Sequence, residues 1–521
     1  MRFPIRGRLA VQKPRRSTSL LAGALMLAAS AIAAAPADAE AKASKIDWHS
    51  CSAPAAGAVE CATIKVPLDW SNPHGKTIDI ALARRKATKP GARIGSILLD
   101  PGGPGVPGID EVKRKPNLFT PAVSERFDVI GFDPRGVGSS TSVKCDTKLL
   151  EQATTAKTLA TRSAADYAAF AGANAKLSQN CRKLTGALYD HLDNRQVARD
   201  IEAIRVALGE KRITQVGYSY GTLTGQQYAE MFPEHVRAMV TDGNMDHSVQ
   251  SIWDFLDAQT AAMENNFVQW ADWCDKTSDC ALYGRDARKI YGELRERAKN
   301  GNLVDPATGE KVDFVRLTGT AQRVNAPEFW KDLAETLETL YDGTSPTPGE
   351  TPTTMPPRTP PKVQNYARQA MYCQDWSFRL KNYAELKSGL SRLTKRYPNV
   401  NWNPNATEAA LDCVGYRGKA TNPQAPLMVK GAPPLVMVGN VNDFATVYPW
   451  SKNAAKQSGA TLVTYKGFGH TIYPSTVAYG PSKCINDVID AYLIHLKVPG
   501  AGVKCPAIEV PGQGNQPAPP Q

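Results

Sequence analysis

A serine stands between two glycines in Gly217-Tyr218-Ser219-Tyr220-Gly221, where the β-type run Ile213 to Val216 meets the helical pattern TLTGQQYAEMF. A strand-to-helix turn this sharp crowds out side chains at the flanking positions and lifts the serine hydroxyl above the sheet edge. A hydroxyl is a poor nucleophile until a base takes its proton, and the base needs an acid to orient it. In this setting the partners follow in the order serine, acid, histidine, each on a loop after a later strand. Asp443 comes within three residues of the apolar run PPLVMVGN, and His470 ends TLVTYKGFGH in a glycine-rich loop. Ser219, Asp443 and His470 are therefore the expected catalytic set. His191 and His235 fail the chain order, His495 lies on the apolar stripe of a helix and is expected to pack, and Asp412 precedes the returning strand.

Attack on a carbonyl creates an oxyanion that needs N–H donors held ready. One is expected from Tyr220, the residue after the nucleophile, and the other from the loop DPGGPG at 100–105. Pro101 and Pro104 have no N–H, so Gly103 is the expected second donor, with Gly102 in reserve. In FDPRGVGSS, Asp133 and Arg135 read as a structural pair below the site.

The elements that must hold these residues are legible as alternating strands and helices. TIDIALARR (77–85) alternates like a strand, GSILLDPGGPG (95–105) and FDVIGFDPRGVGSS (127–140) read as buried strands running into loops, and VRAMVTDGN (236–244), PPLVMVGN (433–440) and TLVTYKGFGH (461–470) read as further strands. Val197, Ile201, Ile204 and Leu208 have helical spacing, as does the closing segment 485–498. Such alternation predicts a mostly parallel sheet covered on both faces. From 248 to 428 the pattern becomes helical, rich in Trp and Glu, and is interrupted by a Pro/Thr-rich loop at 342–362. The organisation is thus a leader at 1–39, a core in two parts at 40–247 and 429–508, a helical insertion at 248–428, and a disordered tail at 509–521.

The leader has a basic stretch ending at Arg15-Arg16, an apolar run from Leu20 to Ala35, and Ala37-Asp38-Ala39 as a small-residue cleavage site. That layout is a secretory signal peptide, and it predicts a secreted protein without stable membrane association after cleavage. The adjacent arginines leave both the general and the twin-arginine export routes open. Residues 1–39 hold six basic residues and Asp38, so a chain charge of +12 becomes +7 without them. With no basic run carrying interleaved aromatics, nucleic-acid binding has no support. Ten cysteines (Cys51, Cys61, Cys145, Cys181, Cys274, Cys280, Cys373, Cys413, Cys484 and Cys505) all lie beyond the leader. An even count in an exported chain predicts disulfides, each cysteine with its sequence neighbour. There is no Cys-x-x-Cys and no His-Glu-x-x-His, so no metal or cofactor is expected.

GGPG, FDPRGVGSS, ARDIEAIRVALG, VGYSYGTLTGQQYAEMFPEHV, the DG at 242–243, the CQD at 373–375, the ND at 442–443 and the GH at 469–470 give the chain a family resemblance. It resembles the prolyl-aminopeptidase-related branch of the α/β-hydrolases and, more closely, the secreted tripeptidyl aminopeptidases of actinomycetes. The resemblance implies an α/β-hydrolase fold with an inserted helical cap, and a serine exopeptidase acting on peptides with free N-termini. It also implies cap carboxylates that hold the substrate ammonium, for which Glu264, Asp272 and Asp375 are candidates. An ester-cleaving enzyme of the same fold, or a binding protein that kept the fold without turnover, are the alternatives. Two departures stand out: Asp100 where the family loop has Asn or His, and Val447 where a proline usually follows the Thr of the acid loop.

Overall fold

Runs of β-branched residues that are buried on both sides make strands of a covered sheet rather than of an exposed one. In the computed structural model, which describes residues 46–52, 57–343, 361–474 and 480–508, the strands Gly95–Asp100 and Phe127–Phe132 are buried along their whole length. The leader, the tail and most of the Pro/Thr-rich loop lie outside the described residues.

Twelve strands are present among the described residues. The first five are β1 (His49–Ser50), β2 (Glu60–Pro67), β3 (Thr77–Arg85), β4 (Gly95–Asp100) and β5 (Phe127–Phe132). They are followed by β6 (Lys144–Asp146), β7 (Ile213–Tyr218), β8 (Val236–Asp242) and β9 (Val363–Asn365). The last three are β10 (Val436–Asn442), β11 (Thr461–Phe468) and β12 (Lys504–Cys505). Ten form one sheet in the order β1-β2-β3-β5-β4-β7-β8-β10-β11-β12, while β6 and β9 pair separately. From β5 onward along that order every pairing is parallel, and the antiparallel ones are confined to the β1–β2–β3–β5 edge.

The period of two sends alternate residues to opposite faces. Ile97, Leu99, Val216, Val240 and Val438 join Ile485, Ile489 and Leu493 of the closing helix Lys483–His495 in one core. Leu98 and Ile130 face the other way, against Val197, Ile201 and Ile204 of the helix Asn194–Ala207. His495 is the last residue of its helix and is exposed, not packed as its stripe position predicted.

The region 248–428 is mostly helical, with β9 inside it pairing back to β6. The helices Thr147–Leu159 and Ala164–Thr185, which precede the elbow in the chain, pack onto this region. Lys157 pairs with Asp412 at 2.6 Å, and Asn174 Nδ2 donates to the Asp412 and Val414 carbonyls. The cysteines pair as neighbours: Cys51–Cys61, Cys145–Cys181, Cys274–Cys280, Cys373–Cys413 and Cys484–Cys505. Such bonds persist in oxidising compartments and restrict the unfolded chain, typically by about 2–4 kcal/mol each.

Arg135 corrects the expected pair. Its guanidinium grips Asp200 at 2.6 and 2.7 Å, both side chains being fully buried, and it donates to the Pro67, Leu68 and His191 carbonyls. Asp133 instead accepts the main-chain N–H groups of Ile109 and Ser139. The FDPRG turn points the two side chains apart, and a buried guanidinium takes the carboxylate whose fork it can face. Among the described residues no helix is long and apolar enough to cross a membrane.

Candidate active site

The elbow forms where β7 ends and the helix Gly221–Met231 begins. Ser219 has φ 53°, a left-handed conformation that costs a non-glycine residue about 1–3 kcal/mol. The flanking glycines are required by space. A Cβ on Gly217 would lie 2.6 Å from the Gly221 carbonyl oxygen, and one on Gly221 would lie 2.5 Å from the Asp100 carbonyl oxygen. Ser219 is partly exposed, and its hydroxyl has no hydrogen-bond partner among the described residues.

Asp443 lies just past β10, with its side chain fully buried. It accepts the N–H groups of Ala445 and Thr446 at 2.8 and 3.0 Å and the Thr446 hydroxyl at 2.8 Å. Its remaining partner is His470 Nδ1, 2.9 Å from Oδ2. The imidazole is about a quarter exposed (27%), and with Nδ1 on the acid its Nε2 is free of protein partners among the described residues. Burial opposes the charged ring, but the charge and hydrogen bond of Asp443, aided by the Asp242 charge, raise its pKa above the usual imidazole value. An imidazole fixed in this way can take a proton from a hydroxyl brought to Nε2. Ser219 and His470 make no direct hydrogen bond here, and free enzymes commonly form that bond only with substrate.

The loop after β4 presses on the elbow. A Cβ on Gly102 would meet the Tyr218 carbonyl oxygen at 2.4 Å and the Tyr220 nitrogen at 2.8 Å. Gly102 N–H donates to Asp100 Oδ1 at 3.0 Å. The N–H groups of Gly103 and Tyr220 have no protein acceptor among the described residues, as an oxyanion donor requires. Burial pushes the Asp100 carboxyl up to about 6.

The three cap carboxylates proposed for the substrate ammonium are occupied by the protein itself. Asp375 is fully buried and accepts from Asn194 N, Asn194 Nδ2, Asn422 Nδ2 and the Tyr220 hydroxyl, at 2.7–2.8 Å. Glu264 accepts from Asn399 N, Asn399 Nδ2 and Val400 N. Asp272 pairs with Arg288. Several donors converge on Asp375 and Glu264, whereas Asp272 is held by Arg288 alone among the described residues and stays partly exposed.

Sequence reasoning missed the amides that fasten the acid loop to the cap. From the helix Ile252–Lys276, Asn265 and Gln269 donate to Asn442 Oδ1, Asn266 donates to the Asn442 carbonyl, and Gln259 donates to the Ala445 carbonyl. Asn403 reaches the Phe444 carbonyl. The available signal was a cluster of amides within an otherwise Trp- and Phe-rich helix. Asn442 and Asn440 in turn donate to the Gly467 and Gly469 carbonyls, joining the acid loop to the histidine loop.

A family model described as the alpha/beta hydrolase fold matches residues 95–474, and the chain belongs to that family. It is 30% identical over 467 residues to the serine protease Hip1 of Mycobacterium tuberculosis, covering 86% of this chain and 88% of the relative. It is equally 30% identical over 490 residues to a tripeptidyl aminopeptidase of Streptomyces lividans, covering 91% and 88%. A carboxylesterase B of M. tuberculosis matches at 30% over 516 residues, covering 94% and 97%. These relatives and the fold make the chain a serine hydrolase.

Proposed function

We propose that this serine hydrolase is a secreted exopeptidase that releases short peptides, tripeptides foremost, from free N-termini. His470 deprotonates Ser219, the serine attacks the peptide carbonyl, and Tyr220 and Gly103 N–H groups receive the oxyanion. His470 then protonates the leaving amine, and water repeats the cycle on the acyl-enzyme. The observation that carries this reading is the imidazole held 2.9 Å from a buried carboxylate, on loops adjoining a serine elbow. Relatives named as a tripeptidyl aminopeptidase and a serine protease support the peptide substrate.

With Glu264, Asp272 and Asp375 occupied, the substrate's N-terminal portion fits a cavity of about 250 Å³ lined by Phe170, Phe314, Trp402, Arg368, Asp412 and Glu408. Arg368, one of the residues lining it, has its main-chain nitrogen 3.8 Å from where a Cβ on Gly105 of the DPGGPG loop would stand. The carboxylesterase relative favours ester cleavage as the second reading.

Free and N-acetylated di-, tri- and tetrapeptide anilides, assayed beside short-chain nitrophenyl esters, separate the two. Loss of cleavage on acetylation is expected; esters cleaved and all anilides left intact would select the esterase. Ser219→Ala is expected to abolish turnover in a folded protein, and retained activity would overturn the assignment.

A further inference from the structure

The nucleophile and the base are carried by loops far apart in sequence, and no hydrogen bond joins their side chains directly. One residue touches both loops. Asp242, the last residue of β8, pairs in register with Tyr218, and its main-chain carbonyl accepts the Ser219 N–H at 3.0 Å. Its carboxyl Oδ2 accepts the N–H groups of Ile472 and Tyr473 at 2.5 and 2.7 Å, immediately beyond His470. The side chain is fully buried.

Two strained residues flank these contacts. Ser219 at φ 53° and Thr471 at φ 63° are both non-glycine residues in the left-handed region, and Thr471 is β-branched. Such conformations persist only where the surroundings over-determine them. Gly243, the next residue, leaves the space the ring uses: a Cβ there would lie 3.2 Å from His470 Cε1 and 2.8 Å from Thr446 Oγ1.

We propose that Asp242 is a positioning residue for the reaction: its carbonyl fixes the nucleophile turn, and its carboxyl group fixes the histidine loop. The end of β8 thereby sets the spacing between Ser219 and His470. Where it is ionised, the carboxyl also places a second negative charge beside the imidazole, in addition to that of Asp443.

The groups that face Asp242 are Tyr218 on β7, His470 and Asp443 on the two following loops, and the Tyr473 main chain. Glu111 lies beyond Tyr218, and Asp490 accepts from the Tyr473 hydroxyl. Burial pushes the Asp242 carboxyl up to about 7, against the two N–H donors and His470, with Asp443 adding to the rise. Among the described residues, Oδ1 and the Tyr218 hydroxyl are both buried without a hydrogen-bond partner, so the carboxyl group is anchored there through Oδ2.

This inference rests on Ser219 and His470 being the reacting pair, and one set of measurements separates the two claims. Wild type, Asp242→Asn and Asp242→Ala are compared by fluorophosphonate labelling, and by kcat and KM across pH on the best anilide or ester. Asp242→Ala releases the histidine loop, and an ångström-scale displacement of a base lowers kcat by about 100-fold with KM changed less than about threefold. Asp242→Asn keeps an oxygen for the two N–H groups but removes the charge. It is expected to recover most of that kcat and to move the acidic limb of kcat/KM to lower pH, since the imidazolium loses a stabilising neighbour. Asp242→Ala with wild-type kcat and labelling rate, or Asp242→Asn with an unmoved acidic limb, would overturn the proposal. Failure of the wild type itself to label at Ser219 would instead overturn the site reading beneath it.

Discussion

Two buried carboxylates stand near the elbow, Asp443 behind His470 and Asp375 behind Tyr220. Each is fully desolvated, and each is surrounded by donors, as a buried charge must be. Asp375 draws all four of its donors from groups that are themselves interior: Asn194, Asn422 and Tyr220. Asp443 draws its donors from its own loop and from one imidazole whose far nitrogen is left open. On the proposed function, the same satisfaction of a carboxylate therefore produces scaffold in one place and a reactive group in the other. What differs is whether the last donor has a second functional atom facing the cleft.

Substitutions can break this contrast from either side. Asp443→Asn leaves the loop's main-chain donors an oxygen, yet allows the imidazole to adopt the wrong tautomer. A loss of about 10⁴-fold in kcat is expected, with little change in the urea midpoint. Asp375→Ala should do the reverse. It strands four buried donors and is expected to cost about 3–5 kcal/mol of stability, read by urea unfolding. Arg135→Met is expected to fall in the same range of about 3–5 kcal/mol, because Asp200 would be left buried and unpaired. A large fall in kcat for Asp375→Ala at unchanged stability would erase the distinction between the two carboxylates.

The pH dependence of stability and activity sharpens it. Burial lifts Asp100 to about 6 and Asp242 and Asp375 to about 7, from 3.8, so the folded chain keeps protons that the unfolded chain releases. These groups contribute their full stability below about pH 4 and lose it as pH rises through 7, which thermal melts across pH would record. In kcat/KM the acidic limb should have its midpoint above 6.5, because His470 must lose its proton to act as base and its neighbours make that harder. The smallest effect is expected from Glu264→Gln. KM for free and acetylated anilides should change by less than about twofold, whereas Glu408→Gln should raise KM for the free-amine substrates alone.

Much of the core was legible before any coordinates. The strands β3, β4, β5, β8 and β11 fall within the runs read as strands, and β7 and β10 overlap theirs but run two residues further, because burial leaves an apolar signature. β1, β12 and the β6–β9 pair carried no such signature. They are two or three residues long, and partners distant in the chain define them, as when Lys144 pairs with Asn365. The order Ser219, Asp443, His470 was readable because an elbow followed by two strand ends is a local pattern. Asp242 was visible only as part of a DG dipeptide, and nothing in its surroundings along the chain indicates that Ile472 and Tyr473 donate to it. The partner of Arg135 was misread for a related reason, since proximity in sequence favoured Asp133 while the turn directs the guanidinium to Asp200.

Residue order alone determined which chemical groups this protein owns and which strand each one follows. Whether a given carboxylate orients a base, ties a loop or closes an ion pair was decided by the tertiary structure. The reason is that the role of a buried acid depends on its donors, and here those arrive from segments that only folding brings together.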